Sequence, residues 1–129
     1  MVLPRDLRLR GRFVFDRLYK KGRRQHGTLM VLRSLRAEPD LLKPDPRDHS
    51  PGSGRVAVVV SSKVHKRAVQ RNRLRRLLHE HLQQLLRRQG AGAAGRWLLI
   101  SLKPGSAEAE PEALLEECSD LLAKAGLNP

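Results

Sequence analysis

Cysteine is nearly absent from this sequence, since Cys118 is the one thiol among 129 residues. A lone cysteine cannot form an internal disulfide, and it is too few for a structural zinc site. This scarcity is typical of a reducing compartment, so we expect a cytoplasmic protein. Because Cys118 lies at an apolar position of the last helical pattern, it is expected to be a buried structural thiol and not a nucleophile.

Long hydrophobic runs are also lacking. No stretch approaches the roughly 20 apolar residues that a membrane-spanning helix needs. The segment that begins Met1-Val2-Leu3-Pro4 lacks the apolar stretch of a signal peptide. We therefore expect a soluble protein without a targeting or spanning segment.

Patterns that would carry catalysis on the chain are missing as well. None of the five histidines has a convincing ligand spacing with a nearby carboxylate or thiol. The Gly/Ala stretch at 90–95 lacks the Lys and Ser/Thr of a phosphate-binding loop, and no Ser/His/Asp arrangement is evident. We predict no catalytic residue and no metal bound by the protein alone.

Positive charge is what the sequence has in excess: 26 Lys and Arg stand against 13 Asp and Glu, which gives a net charge of +13. Self-repulsion of that size opposes the compact state unless a polyanion shares the surface. With 40% hydrophobic residues the chain can still bury a core, and its length is typical of one domain. A single domain over residues 1–129 that binds a polyanion is predicted.

The basic residues are clustered. Residues 1–24 contain nine Lys or Arg and residues 63–76 contain seven, whereas residues 108–129 are acidic. Two separate clusters predict two contact surfaces. Between them, residues 37–54 combine prolines, glycines and aspartates and are predicted to form a flexible loop, while 90–95 reads as a Gly/Ala link between elements.

Hydrophobic spacing predicts the secondary structure. A short basic helix is predicted over residues 12–21, because apolar residues from Phe13 to Tyr19 lie at helical spacing and Gly22 follows as a stop signal. The longest helix is predicted over 67–88, with strands at 29–35, 55–61 and 97–102 and a final helix that begins near Pro111. This order of helix, strands, long helix, strand and helix indicates an α+β fold, a small two-layer sandwich with helices against one sheet.

The long helix carries the most informative residues. Leucines at 74, 77, 78, 82 and 85 define its apolar face, and projection at 100° per residue places Asn72, Arg76, His79 and Gln83 on the opposite, solvent-facing side. At a strand-to-helix transition, free backbone N–H groups and the helix dipole favour phosphate, which guanidinium groups bind through two hydrogen bonds. The residues predicted to bind a nucleic acid here are Lys63, Lys66, Arg67, Arg71, Asn72, Arg73, Arg75 and Arg76.

This basic helix allows three other interpretations. A solvated helix face usually mixes charge signs, but Glu80 is the one acid between Arg55 and Arg88. A non-catalytic basic RNA-binding protein, such as a ribosomal protein, would also need this charge. A membrane-surface module would expose bulky apolar residues beside the charge, whereas these leucines are committed to the core.

The same residues resemble the protein subunit of bacterial ribonuclease P. That family places a strand ending in V-S-x-K before a helix with A-x-x-R-N-R-x-[KR]-R. This chain reads Val60-Ser61-Ser62-Lys63 and then Ala68-Val69-Gln70-Arg71-Asn72-Arg73-Leu74-Arg75-Arg76. The opening helix and the stretch from Trp97 to Pro104 are also similar to the family, so that the resemblance covers roughly residues 3–124.

The resemblance implies a subunit of a ribonucleoprotein endonuclease whose catalyst is RNA. The Arg71-Asn72-Arg73 helix would dock on the catalytic RNA. A cleft between the opening helix and the sheet would hold the 5′ leader of precursor tRNA through Phe15, Tyr19 and Arg33. Mg²⁺ would be required by the RNA-containing holoenzyme, and neither a membrane nor DNA is expected as a partner.

The resemblance also implies a left-handed crossover between parallel strands, against the usual right-handed rule. Three departures from the family pattern are visible. His79 stands where Lys or Arg is usual, Arg33 where many members carry an aromatic residue, and the 37–54 loop is longer.

Overall fold

The structure is a computed structural model of the chain, and it describes residues 8–9, 11–38, 54–89 and 95–126. The elements in these ranges are α1 (Arg12–Lys21), β1 (Arg23–His26), β2 (Met30–Arg36), β3 (Arg55–Val59), α2 (Ala68–Gln89), β4 (Arg96–Leu102), a 3₁₀ turn (Ser106–Glu108) and α3 (Pro111–Lys124). The predicted α+β class and order of elements are confirmed. The flexible loop predicted at 37–54 and the link at 90–95 fall mostly outside the described residues.

The four strands form one sheet in the order β1-β2-β4-β3. β2 pairs antiparallel with both β1 and β4, while β3 pairs parallel with β4. Since β3 and β4 are neighbours and α2 connects them, the crossover around the long helix is present. Its left-handed sense remains a prediction.

β4 lies in the middle of the core and is buried on both faces. Trp97 and Leu99 pack in one cluster with α1, whereas Leu98 and Ile100 pack in another with α2 and α3. A continuous apolar run is typical of such a strand, because both faces are covered. The sheet with α2 and α3 is the predicted two-layer sandwich, and α1 adds a partial layer on the opposite face.

α1 is fixed to the sheet by two buried residues, Val14 and Leu18, one helical turn apart. The helix ends at Gly22, as the sequence predicts, and a Cβ there would overlap the carbonyl oxygen of Leu18. Arg17 donates two hydrogen bonds to the carboxylate of Glu38, at 2.9 and 3.0 Å. This hydrogen-bonded pair lowers the pKa of Glu38 and joins α1 to the segment that follows β2.

β1 is a strand that the sequence analysis missed. Its four residues, Arg-Arg-Gln-His, contain no apolar side chain to alternate, so a hydrophobic pattern cannot reveal it. The turn that follows this strand is bound by α3. Glu117 on α3 accepts hydrogen bonds from the backbone N–H groups of Thr28 and Leu29, at 2.9 and 2.8 Å. The Lys103 ammonium group donates to the carbonyl of Gly27 at 2.7 Å. These contacts fix the turn that joins β1 to β2.

Cys118 is fully buried on the inner face of α3. Burial, together with the neighbouring Glu117 carboxylate, raises the pKa of its thiol to about 12. The prediction of a buried thiol is therefore confirmed. Within the described ranges, no helix is long and apolar enough to span a membrane.

Candidate RNA interface

The segment between β3 and α2 is a compact turn built from local hydrogen bonds. Ser61 accepts two of them, from the N–H of Lys63 to its hydroxyl oxygen and from the N–H of Val64 to its carbonyl. The N–H of Arg67 donates to Nδ1 of His65 at 3.0 Å. The three basic side chains of this turn are exposed to solvent: Lys63, Lys66 and Arg67.

Arg71 anchors the start of α2 to this turn. Its guanidinium group donates to the carbonyls of His65 and Lys66, at 2.9 and 2.8 Å. The sequence analysis predicts Arg71 as an RNA contact, and the structure gives it a positioning role. It holds the turn and the first turn of the helix in one arrangement.

The next residues of α2 present a polar edge to solvent. Asn72, Arg73 and Arg76 are exposed, and Arg75 is partly exposed. Arg75 donates to the amide oxygen of Asn72, which leaves the amide NH₂ group directed to other partners. The eight predicted residues thus lie together on the turn and the first helical turns of α2. We call this the α2 basic surface: Lys63, Lys66, Arg67, Arg71, Asn72, Arg73, Arg75 and Arg76.

Further along α2 the expectation of a solvent-facing side is wrong. Gln83 is buried, and His79 is partly buried. The projection treats the helix as isolated. In the structure, Arg8 pairs with Val56 of β3 and lies close enough for its charge to lower the pKa of His79. The exposed basic edge therefore ends before His79.

His79 gives the fold a dependence on pH. Burial lowers its pKa from the ordinary value of 6.5, and the charges of Arg75 and Arg8 lower it further. Between the folded and unfolded pKa values the unfolded chain binds more protons, so stability falls as the pH drops below about 6.5. We expect the melting temperature to fall more between pH 7.5 and 5.5 in the natural chain than in His79→Gln.

The matched control for this comparison is His26→Gln, since His26 is exposed on the edge strand. Thermal unfolding followed by circular dichroism measures all three proteins. Equal losses for the natural chain and His79→Gln would contradict the assignment to His79.

A second surface lies on the other face of the sheet, beside α1. The guanidinium carbon of Arg33 is 4.7 Å from the centre of the Tyr19 ring, within the range of a cation–π contact. Tyr19 is 49% exposed, so the outer face of its ring is open to a ligand. Phe15 is partly buried against the Trp97–Leu99 cluster and forms the inner end of this surface. The structure thus gathers all three predicted leader-cleft residues on the α1 side.

Strand register adds two residues that the sequence analysis missed. Arg24 lies opposite Arg33, and Ser101 lies opposite Val31, so both belong to the face that α1 partly covers. In the described part of the chain, Ser101 Oγ and Arg33 Nε are buried without a hydrogen-bond partner. Ser101 could have been singled out from the sequence, because it is the one polar residue in the apolar run 97–102. We call this surface the α1–sheet cleft: Phe15, Tyr19, Arg24, Arg33 and Ser101.

The two surfaces carry guanidinium, ammonium, amide, hydroxyl and aromatic groups. Such groups bind phosphates by charge and forked hydrogen bonds, and bases by stacking. Among the residues that the structure describes, no three His, Cys, Asp or Glu side chains are grouped as a metal site.

Comparison with known proteins identifies the family. The family model for ribonuclease P matches residues 3–126. The ribonuclease P protein component of Parasynechococcus marenigrum is 58% identical over 127 residues, with 98% of both chains covered. The ribonuclease P protein component of Prochlorococcus marinus strain MIT 9313 is 54% identical over 127 residues, again with 98% of both chains covered.

Solved structures agree on the fold. The ribonuclease P protein of Staphylococcus aureus superposes with a TM-score of 0.73 at 16% identity, covering 95% of this chain and 98% of that one. The protein from Thermotoga maritima gives 0.64 at 20% identity, covering 91% and 96%. The chain therefore belongs to the ribonuclease P protein family, the protein subunits of an endoribonuclease that processes tRNA.

Proposed function

We propose that the α2 basic surface docks on the catalytic RNA of ribonuclease P and that the α1–sheet cleft holds the 5′ leader of precursor tRNA. The observation that carries the proposal is the position of the two surfaces on opposite faces of one sheet, since α1 and α2 pack in different core clusters. One small protein can then contact two RNAs at once.

The α2 basic surface is suited to a structured RNA because it combines charge with rigidity. Arg71 joins the turn to the helix through the carbonyls of His65 and Lys66, so the backbone that carries the neighbouring cations is held in one arrangement. Guanidinium forks match phosphate oxygens, and the free amide NH₂ of Asn72 suits a base edge or a ribose hydroxyl.

The α1–sheet cleft is suited to a single strand. Unpaired bases can stack on an aromatic ring, and each stack contributes about 1–3 kcal/mol. Tyr19 offers such a ring, and Arg33, which replaces the aromatic residue usual in the family, lies against it as a cationic plane.

Chemistry in this proposal resides in the RNA subunit. Mg²⁺ acts there, in the RNA-containing holoenzyme, and the chain itself supplies binding and electrostatic stabilisation. The holoenzyme works in the cytoplasm on precursor tRNA, with neither DNA nor a membrane as a partner. The ribosomal-type alternative is not favoured, because the relatives with the highest identities above are ribonuclease P proteins.

Tyr19→Ala should weaken binding of leader-bearing tRNA to the reconstituted holoenzyme by about tenfold, because one stacking platform is lost. Mature tRNA, which lacks the leader, should bind as before. Affinities of both tRNAs, measured at low Mg²⁺ with a cognate bacterial catalytic RNA, give the comparison.

Phe13→Ala is the matched control, since Phe13 is an aromatic residue of the same helix, 67% exposed and without part in the Arg33 contact. Cleavage assays with the RNA alone and the protein alone complete the set, and leader removal should require both. Equal losses for leader-bearing and mature tRNA in Tyr19→Ala would place the leader elsewhere.

A further inference from the structure

A cavity of about 380 Å³ lies between α2 and the corner that leads into α3. Leu74 and Leu77 of α2 form one wall, and Leu114 of α3 belongs to the wall that faces it. Its volume lies in the range of small-ligand pockets, which combine apolar walls with a few polar groups. Neither the α2 basic surface nor the α1–sheet cleft accounts for this cavity.

The polar lining of the cavity comes from three residues, His65, Gln70 and Arg73. Since Nδ1 of His65 accepts the N–H of Arg67, the neutral ring carries its hydrogen on Nε2. Gln70 adds an amide with both a donor and an acceptor. A planar heterocycle with mixed donors and acceptors on its edge matches these groups, whereas a purely apolar ligand would leave them unsatisfied.

Charge around the cavity gives a ligand one orientation. Arg73 belongs to both the cavity and the α2 basic surface, so a phosphate at the rim is favoured on the α2 side. On the α3 side, Glu110 and Glu112 flank the lining residue Pro111 in sequence, and these exposed carboxylates disfavour phosphate there. An anionic group at Arg73 with a flat ring directed toward α3 is the arrangement that agrees with both rims.

We propose that this cavity receives one unstacked nucleobase of the catalytic RNA, with the phosphate of the same nucleotide on Arg73. The inference rests on the docking of α2 proposed above. Leu74 and Leu77 are only partly buried, so an inserted base would cover apolar surface that otherwise borders a strongly cationic face. Proteins commonly recognise RNA through such splayed-out bases, held by stacking and edge hydrogen bonds.

Ala109→Leu tests the proposal by filling the cavity without changing any charge. Ala109 lines the cavity in extended backbone, where leucine is tolerated. Affinity for the catalytic RNA should fall about tenfold, while its dependence on salt should stay the same because no phosphate contact is removed. Ala113→Leu, at an exposed position in the first turn of α3 and outside the residues that line the cavity, should bind as the natural chain does.

Arg73→Ala separates this inference from the proposed function. If Arg73→Ala weakens RNA binding and Ala109→Leu does not, the base-binding cavity is overturned and the docking of α2 stands. If neither variant changes the affinity, both are overturned. If both weaken binding, and only Arg73→Ala reduces the salt dependence, the cavity is supported.

A second measurement uses the natural chain, so it does not depend on how a variant folds. Each of the four nucleoside 5′-monophosphates is titrated into ¹⁵N-labelled protein, with inorganic phosphate as the control. Nucleotides should shift backbone amide signals on both walls, at 70–77 and at 107–114, whereas phosphate should shift those of α2 alone. Absence of a nucleotide-specific shift at 107–114 at millimolar concentration would overturn the proposal.

Discussion

Raising the salt concentration from 50 to 200 mM should weaken binding to the catalytic RNA by a factor of about 10³–10⁵. The reason is the density of cations on the α2 basic surface, where seven Lys or Arg fall within residues 63–76. Each phosphate that they neutralise releases condensed counterions, and about six to ten such contacts produce a loss of this size. Equilibrium binding of labelled RNA across a salt series measures the slope of the logarithm of affinity against the logarithm of salt concentration.

Single substitutions show which residues create the slope. Arg73→Ala should reduce it by about one, because one phosphate contact is lost. Lys124→Ala, at the end of α3 and outside both surfaces, should leave it unchanged. An affinity that hardly changes with salt would contradict an electrostatic docking surface.

The order of residues in α2 and in the turn before it made the exposed basic surface predictable. The basic residues are clustered from Lys63 to Arg76, and the core-facing leucines recur at helical spacing from Leu74 to Leu85. This local pattern is enough to predict which residues of the turn and of the start of the helix are exposed. α1 is similar: its predicted bounds, 12–21, are those observed, because apolar spacing and Gly22 both act locally. Local sequence patterns were therefore sufficient to predict the bounds of α1 and the exposed basic residues at the start of α2.

Side-chain hydrogen bonds and contacts between distant parts of the chain were not predictable in this way. Gln83 was expected in solvent and is buried, since an isolated helix projection contains no neighbouring segment. Arg71 was predicted only as an RNA contact, although two carbonyls of the preceding turn bind its guanidinium group. Ser101 joined the α1–sheet cleft through strand register, which pairs it with Val31 from 70 positions earlier in the sequence.

The placement of the two surfaces follows from β4. Because its side chains alternate between α1 on one face and α2 with α3 on the other, the sheet separates the cleft from the α2 basic surface. The residues that fix the sheet edge, at the turn between β1 and β2, therefore influence the cleft more than the α2 surface. Arg24 and Arg33 lie on the two strands that this turn connects.

Glu117→Ala should lower the free energy of unfolding by about 2 kcal/mol, because a charged acceptor of two backbone hydrogen bonds is lost. The N–H groups of Thr28 and Leu29 would have no replacement acceptor from α3. Glu117→Gln should recover only part of the loss, since its amide NH₂ would face one of these N–H donors. Urea unfolding measures the series, with the exposed Glu116→Ala as a control expected within about 0.5 kcal/mol of the natural chain.

Gly27→Ala approaches the same contact from the other side. A Cβ at Gly27 would lie 2.6 Å from Oε2 of Glu117 and 3.1 Å from the carbonyl oxygen of Met30, so the carboxylate must move away from the turn. The two substitutions then remove one shared interaction, and their effects on stability should not add. We expect Gly27→Ala to cost clearly less in the Glu117→Ala background than in the natural chain. Additive losses would mean that the carboxylate and the glycine act independently, which would contradict a shared interaction.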